Sequence, residues 1–156
     1  MEEIDDRVKK LLKGHQVVAL DTMLFIYSME ARRSYIPFLR SIFYCIEKGL
    51  TKGVTSTITL TEVLIKPLKD QNIKAVKSYK FLLNNFPNLR MVNIDPQVAE
   101  KGAELRARYG IRIPDALQIA SGIENQATIF LSNDCNLKKI KEIEIVLVKE
   151  MMDQFK

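Results

Sequence analysis

The sequence predicts an α/β fold, a three-layer sandwich around a five-stranded parallel sheet, and three observations carry that expectation. Short apolar runs rich in Val and Ile alternate with longer segments of helical period, the pattern of strand and helix units joined in a parallel sheet. The 156 residues are 47% hydrophobic and 28% charged, with no low-complexity tract and no long Pro, Gly or Ser linker, so one domain over residues 1–156 is expected. A chain of this length buries roughly 70% of the surface that its unfolded form exposes, which is enough for one core.

Taken in order, strands are expected at 17–20, 53–55, 89–94, 128–131 and 145–148, each a short apolar run. Helices are expected at 2–12, 22–29, 36–48, 58–66, 73–86, 96–109, 114–124 and 149–155. Gly49 and Gly110 stand where helices should end, and Pro114 stands at a first helical position. No internal repeat is present. In an open parallel sheet, ligands bind beyond the carboxyl ends of the strands, so the informative residues are those just past each one. They are Asp21, the 56–62 segment, Asp95, the Ser132-Asn133-Asp134 run and Lys149.

Composition excludes several classes. The first ten residues are mostly charged and no apolar run approaches the roughly 18 residues of a membrane span, so a cytoplasmic protein without membrane contact is expected. Cys45 and Cys135 are far apart and lack a Cys-x-x-Cys spacing, which indicates neither a disulfide framework nor a zinc site. The single histidine, His15, precedes the first strand, away from the informative edge. No G-x-G-x-x-G, G-x-x-x-x-G-K or G-x-S-x-G array occurs, so the usual nucleotide-binding and serine-hydrolase signatures are missing. The net charge of +5, from 24 Lys and Arg against 19 Asp and Glu, favours encounter with a polyanion.

Four carboxylates fall at or near the informative edge, and each also has a purely structural reading. Asp21, between "VVAL" and "TMLFIY", can cap the helix that follows it. Glu62 completes "TLTE", a capping-box pattern, with Lys66 placed to pair with it; a helical wheel sets it between Ile58 and Ile65, facing inward or into a cleft. Asp115 follows Pro114 in "IRIPDALQIAS", where an acid complements the helix dipole. Asp134 in "FLSNDCNL" suits a turn.

As a set they say more. Asp21 and Asp134 would leave neighbouring strands at one edge, with Glu62 and Asp115 on helix starts that can be aimed there. Two unit charges 4 Å apart cost about 4 kcal/mol at an effective dielectric of 20, so converging carboxylates must protonate or share a cation. Oxygen-only ligands select Mg²⁺ or Mn²⁺, which serve phosphate chemistry by activating water and neutralising phosphoryl charge. A negative pocket on a positive protein suits a polyanionic substrate.

These residues resemble the PIN-domain nucleases. "VVALDTMLFIY" is similar to the family's opening strand-Asp-Thr motif, and "TLTEVL", "IPDALQIAS" and "FLSND" follow in the family's order across most of the chain. The resemblance implies strand order 3-2-1-4-5, Mg²⁺- or Mn²⁺-dependent endoribonuclease activity, and metal ligation by Asp21, Glu62, Asp115 and Asp134. It gives Thr22 the small hydroxyl position, and it makes Ser132 and Asn133 the polar neighbours that orient the last acid or a metal-bound water. The size resembles VapC-type toxins, implying RNA as substrate, a small antitoxin partner and a homodimer; stand-alone PIN proteins of RNA processing are equally similar. Departures are Met23 where Asn is frequent, Ser132 where Thr is commoner, and "CNLKK" in place of an aromatic after Asp134.

Arg32, Arg33, Arg112 and Lys138 are the candidate RNA contacts, each also readable as part of a solvated face. Two other readings stay open. One is a PIN fold without catalysis, serving as an RNA- or protein-binding scaffold. The other is a phosphoacceptor receiver domain using Asp21, Asp95, Ser132 and Lys149. A haloacid-dehalogenase-like phosphatase needs Asp-x-Asp after the first strand, and Met23 removes the second acid.

Overall fold

The computed structural model describes residues 3–153. Five parallel strands, β1 (Val17–Leu20), β2 (Lys52–Ser56), β3 (Leu89–Val92), β4 (Ile129–Ser132) and β5 (Glu144–Leu147), form one sheet in the order β3-β2-β1-β4-β5. Among the described residues eight helices surround it: α1 (Asp6–Leu12), α2 (Thr22–Met29), α3 (Ile36–Glu47), α4 (Thr57–Lys69), α5 (Ile73–Asn85), α6 (Pro96–Tyr109), α7 (Ile113–Glu124) and α8 (Val148–Asp153). A 3₁₀ turn, Cys135–Lys139, follows β4.

Strand alternation builds both outer layers. Val18, Leu20, Ile129 and Leu131 point into a cluster with side chains of α1 to α5, including Phe25, Phe38, Ile42 and Leu83. Ala19 and Phe130, one residue out of phase, point the other way against Val98, Leu105, Ile119 and Ala120 of α6 and α7. Register places Ala19 opposite Val54 and Phe130, so β1 is flanked on both sides and its carboxyl end lies mid-sheet. The helix layer of α7 comes unusually near β1: a Cβ on Gly122 would lie 2.7 Å from the Ala19 Cβ. Gly110 ends α6 at φ +67°, a left-handed conformation that glycine adopts without penalty.

Several boundaries differ from the sequence reading, each for a local reason. β2 is longer than 53–55 and β3 shorter than 89–94, because β3 pairs only with β2 and the ladder ends at Ser56 opposite Val92, where α4 begins. α4 passes through Pro67 to Lys69; the proline falls in the last turn and is buried, so helical geometry persists beyond residue 66. The first helix starts at Asp6, capped by the Asp5 carboxylate, and of the expected 2–12 span residue 2 lies outside the described residues. Residues 154 and 155 of the expected last helix also lie outside them. Cys45 is buried, Cys135 exposed, and both are free. No helix among the described residues is long and apolar enough to cross a membrane.

Candidate active site

β1 delivers Asp21 to its carboxyl end, where the Asp21 amide still donates to the Leu131 carbonyl of β4 (3.0 Å). The backbone then turns into α2 with Asp21 as N-cap, its Oδ1 accepting from the Thr22 amide at 2.8 Å. Oδ2 accepts from the Ser132 hydroxyl at 2.6 Å. Burial, opposed by these two hydrogen bonds and reinforced by the charges of Asp115 and Glu62, pushes the Asp21 carboxyl up to about 6. Capping therefore accounts for one of its oxygens and Ser132 for the other, while the charges of Asp115 and Glu62 act on both.

Glu62, half-buried on α4, accepts from the Thr22 hydroxyl at 2.9 Å. The capping box and the Lys66 pairing expected for it are corrected. The helix cap is Ser56, whose hydroxyl accepts from the Ile58 amide, so Thr59 and Glu62 form no capping box. The inward stripe of α4 is Thr59, Val63 and Pro67, and Ile65 is 60% exposed, so Glu62 flanks that stripe, half-buried and turned to Thr22. Lys66 turns to Glu30, 3.5 Å away.

Asp115, in the first turn of α7, pairs with exposed Arg112 (Nε to Oδ2, 3.1 Å) and keeps only 14% of its side chain accessible. The Arg112 guanidinium is raised above its ordinary value, first by the Asp115 hydrogen bond and further by the charges of Glu62 and Asp134, so all three acids act on it. Asp134 caps the 3₁₀ turn, accepting from the Asn136 amide at 3.0 Å. Its own amide donates to the Ser132 hydroxyl at 3.1 Å, so Ser132 joins the first and last acids. Asn133 faces elsewhere, accepting from the Lys149 amide (2.9 Å) and donating to the Tyr35 hydroxyl (3.3 Å).

Among the described residues no three His, Cys, Asp or Glu side chains gather closely enough to hold a metal ion. The four carboxylates expected to converge thus form no ready ligand cage. Each acid instead has a protein partner of its own: Asp115 takes Arg112, Glu62 takes Thr22 and Asp134 takes its own turn. The donors remain suited in kind to a hard divalent ion, being carboxylate oxygens; Asp21 is raised first by burial and to a smaller extent by the charges of Asp115 and Glu62.

Of the candidate RNA contacts, Arg32 lies over the Tyr27 ring at 4.2 Å and 3.9 Å from Glu30, Lys138 pairs with Glu150 at 2.9 Å, and Arg33 is exposed. Arg112 is committed to Asp115. His15 contacts Thr128 (2.7 Å) and Glu144 (3.2 Å), at the opposite end of the strands. Sequence reading missed Gln118, Thr59 and Thr55, which are 3%, 0% and 3% exposed and form the polar floor beneath Thr22. The available signal was a lone amide in the apolar run "ALQIA".

The sequence matches the PIN domain family over residues 18–143. The chain belongs to the PIN domain family. Its fold is shared by solved structures of low sequence identity. One is a toxin-antitoxin complex from Klebsiella pneumoniae (19% identity, TM-score 0.64, covering 85% of this chain and 97% of that one). Another is VapBC2 from Rickettsia felis bound to a DNA fragment from its promoter (18%, TM-score 0.65, 84% and 98%). A third is VapBC-5 from Mycobacterium tuberculosis (17%, TM-score 0.54, 85% and 98%). No curated protein matches the sequence. The PIN strand order also removes the receiver reading: such domains place strand three beside strand one, whereas here β2 separates them and Asp95 only caps α6 (2.9 Å to the Val98 amide).

Proposed function

We propose that this PIN domain is a metal-dependent endoribonuclease, the toxin of a toxin-antitoxin pair, using Asp21, Glu62, Asp115 and Asp134 as its acidic set. The observation that carries the reading is Asp21: a buried carboxylate at the carboxyl end of the central strand, raised to about 6 first by its burial, with the charges of Asp115 and Glu62 adding to the rise. A purely structural cap gains nothing from those neighbours.

Mg²⁺ or Mn²⁺ bound there would activate a water and neutralise charge on the phosphoryl oxygens. The chain's own contribution is placement. Thr22 holds Glu62 by Oε1 alone, which leaves Oε2 for a ligand, while Asp21 is fixed through both oxygens, by the Thr22 amide and the Ser132 hydroxyl, and would offer a ligand the second lone pair of either. Arg112, paired with Asp115 in the free protein, can transfer its charge to a substrate phosphate once Asp115 engages a cation. Arg32, Arg33 and Lys138 are the further contacts proposed for the RNA backbone. Support for an antitoxin partner comes from the fold shared with toxin-antitoxin complexes, and a homodimer is proposed on the same likeness.

The test is cleavage of single-stranded and structured RNA in Mn²⁺. Asp21→Asn and Asp115→Asn should each abolish it while circular dichroism stays unchanged. Full cleavage by both variants would refute the assignment, and an inactive parent protein would favour the scaffold reading.

A further inference from the structure

Behind the acids lies a buried set of polar side chains drawn from four elements: Thr22 of α2, Thr55 and Ser56 of β2, Thr59 of α4 and Gln118 of α7. None is more than 6% exposed, and no buried side-chain nitrogen or oxygen among the described residues lacks a partner. Burying five polar groups costs free energy unless each is bonded, so the directions of their bonds are constrained.

Counting protons fixes those directions. The Leu20 carbonyl can only accept, so the Thr55 hydroxyl donates to it (3.1 Å). Thr55 then has no proton left for its 2.7 Å contact with Thr59, and Thr59 must donate there. Thr59 in turn must accept at its 2.7 Å contact with Gln118, which places the amide Nε2, not the oxygen, against it. The second Nε2 proton goes to Thr22 (3.1 Å), and the Gln118 oxygen accepts from Ser56 at 2.6 Å. Thr22 has one proton and two acceptors in reach, the Thr59 hydroxyl at 3.2 Å and Glu62 Oε1 at 2.9 Å, and the nearer and charged carboxylate takes it, since a charged acceptor makes the stronger bond.

We infer that Gln118 is a positioning residue for the acidic site: its amide sets the Thr22 hydroxyl so that the proton points at Glu62 and holds that carboxylate towards the Asp21 edge. The chain of bonds begins at the Leu20 carbonyl, one residue before Asp21, and ends on Glu62, so α2, α4 and α7 carry their acids in a mutually fixed arrangement. This rests on the proposal that Glu62 serves a cation, and it adds a residue that no acidic motif contains.

The experiment replaces Gln118 in the full chain by Met, of similar length and without polar atoms, and reads Mn²⁺ affinity by calorimetric titration together with a crystal structure of the variant. Gln118→Glu, isosteric but with an acceptor in place of the amide donor, is the second variant should Met prevent folding. Loss of a supporting contact of this kind is expected to weaken Mn²⁺ binding about 10–100-fold, and the Thr22 to Glu62 hydrogen bond should be gone. Thr22→Val should give a similar loss, and the double variant should be no worse than either single, because both act on one link. Unchanged affinity, an intact Thr22 to Glu62 bond, or additive losses would each overturn the inference. A parent protein that binds Mn²⁺ and cuts no RNA would sink the nuclease reading alone; one that binds no Mn²⁺ leaves the decision to the Thr22 to Glu62 bond in the variant structure.

Discussion

Ionised Asp21 receives two hydrogen bonds, from the Thr22 amide and the Ser132 hydroxyl, yet burial and the nearby Asp115 and Glu62 charges hold its pKa at about 6, against an ordinary 3.8. The folded protein therefore binds more protons than the unfolded chain between about pH 4 and pH 6, and this group's effect on stability becomes less favourable as pH rises through that window. Asp21→Asn removes the charge and keeps an N-cap of equal quality. In metal-free protein it should raise stability at pH 7 by on the order of 2 kcal/mol, or roughly 4–8 °C in Tm, with the difference shrinking towards pH 4. Calorimetric scans at pH 4 and pH 7 with chelator present will check this; a variant less stable at pH 7 contradicts it. Asp21, Thr22 and Ser132 were legible because each stands at a strand end. Gln118 was not, since a single amide in an apolar helix becomes informative only when its partners, 59 and 96 residues away, are known.

The elements show which local patterns could mislead. The helical wheel of α4 put Glu62 between two isoleucines, but one of them, Ile65, is exposed, because the layer beneath α4 accepts the Thr59, Val63 and Pro67 stripe. Periodicity reports a helix; which stripe is buried depends on the neighbour. The contact of α7 with β1 is a second such decision. With only 2.7 Å between a Cβ at position 122 and that of Ala19, Gly122→Val must push α7 off the sheet. A cost of about 1–3 kcal/mol is expected by urea denaturation. Ala19→Gly in the same chain should recover part of that loss, and the absence of any recovery would place the strain elsewhere. Because α7 carries Asp115 and Gln118, RNA cleavage should fall in the single variant by more than its unfolded fraction accounts for.

For the whole molecule, the charge distribution matters more than its sum. The protein carries +5 overall while Asp21, Glu62 and Asp115 concentrate negative charge at one sheet edge. Under the proposed function, a polyanion would be attracted by the surface at large and admitted to the acidic edge only with a cation. Cleavage at subsaturating RNA should therefore fall as monovalent salt rises from 50 to 200 mM, by roughly tenfold if two or three phosphates are contacted. Initial rates over that range will test it, and a flat profile would argue against backbone recognition by the basic residues. The same rates in Arg112→Gln should fall less steeply with salt if its guanidinium reaches a phosphate.

The chain by itself determined the alternation of strands and helices, the residues that end each strand and the family motifs, because these depend on side chains close in sequence and on the period of their apolar positions. Strand order entered only through the resemblance; the tertiary structure then placed β1 between β2 and β4 and set β3 apart from it. Tertiary structure also decided that Arg112 would serve Asp115, that Glu62 would answer to Thr22, and that Gln118 would stand beneath them. Those outcomes turn on charges and protons shared between distant segments, and a buried donor chooses its acceptor only after the layers have packed around it.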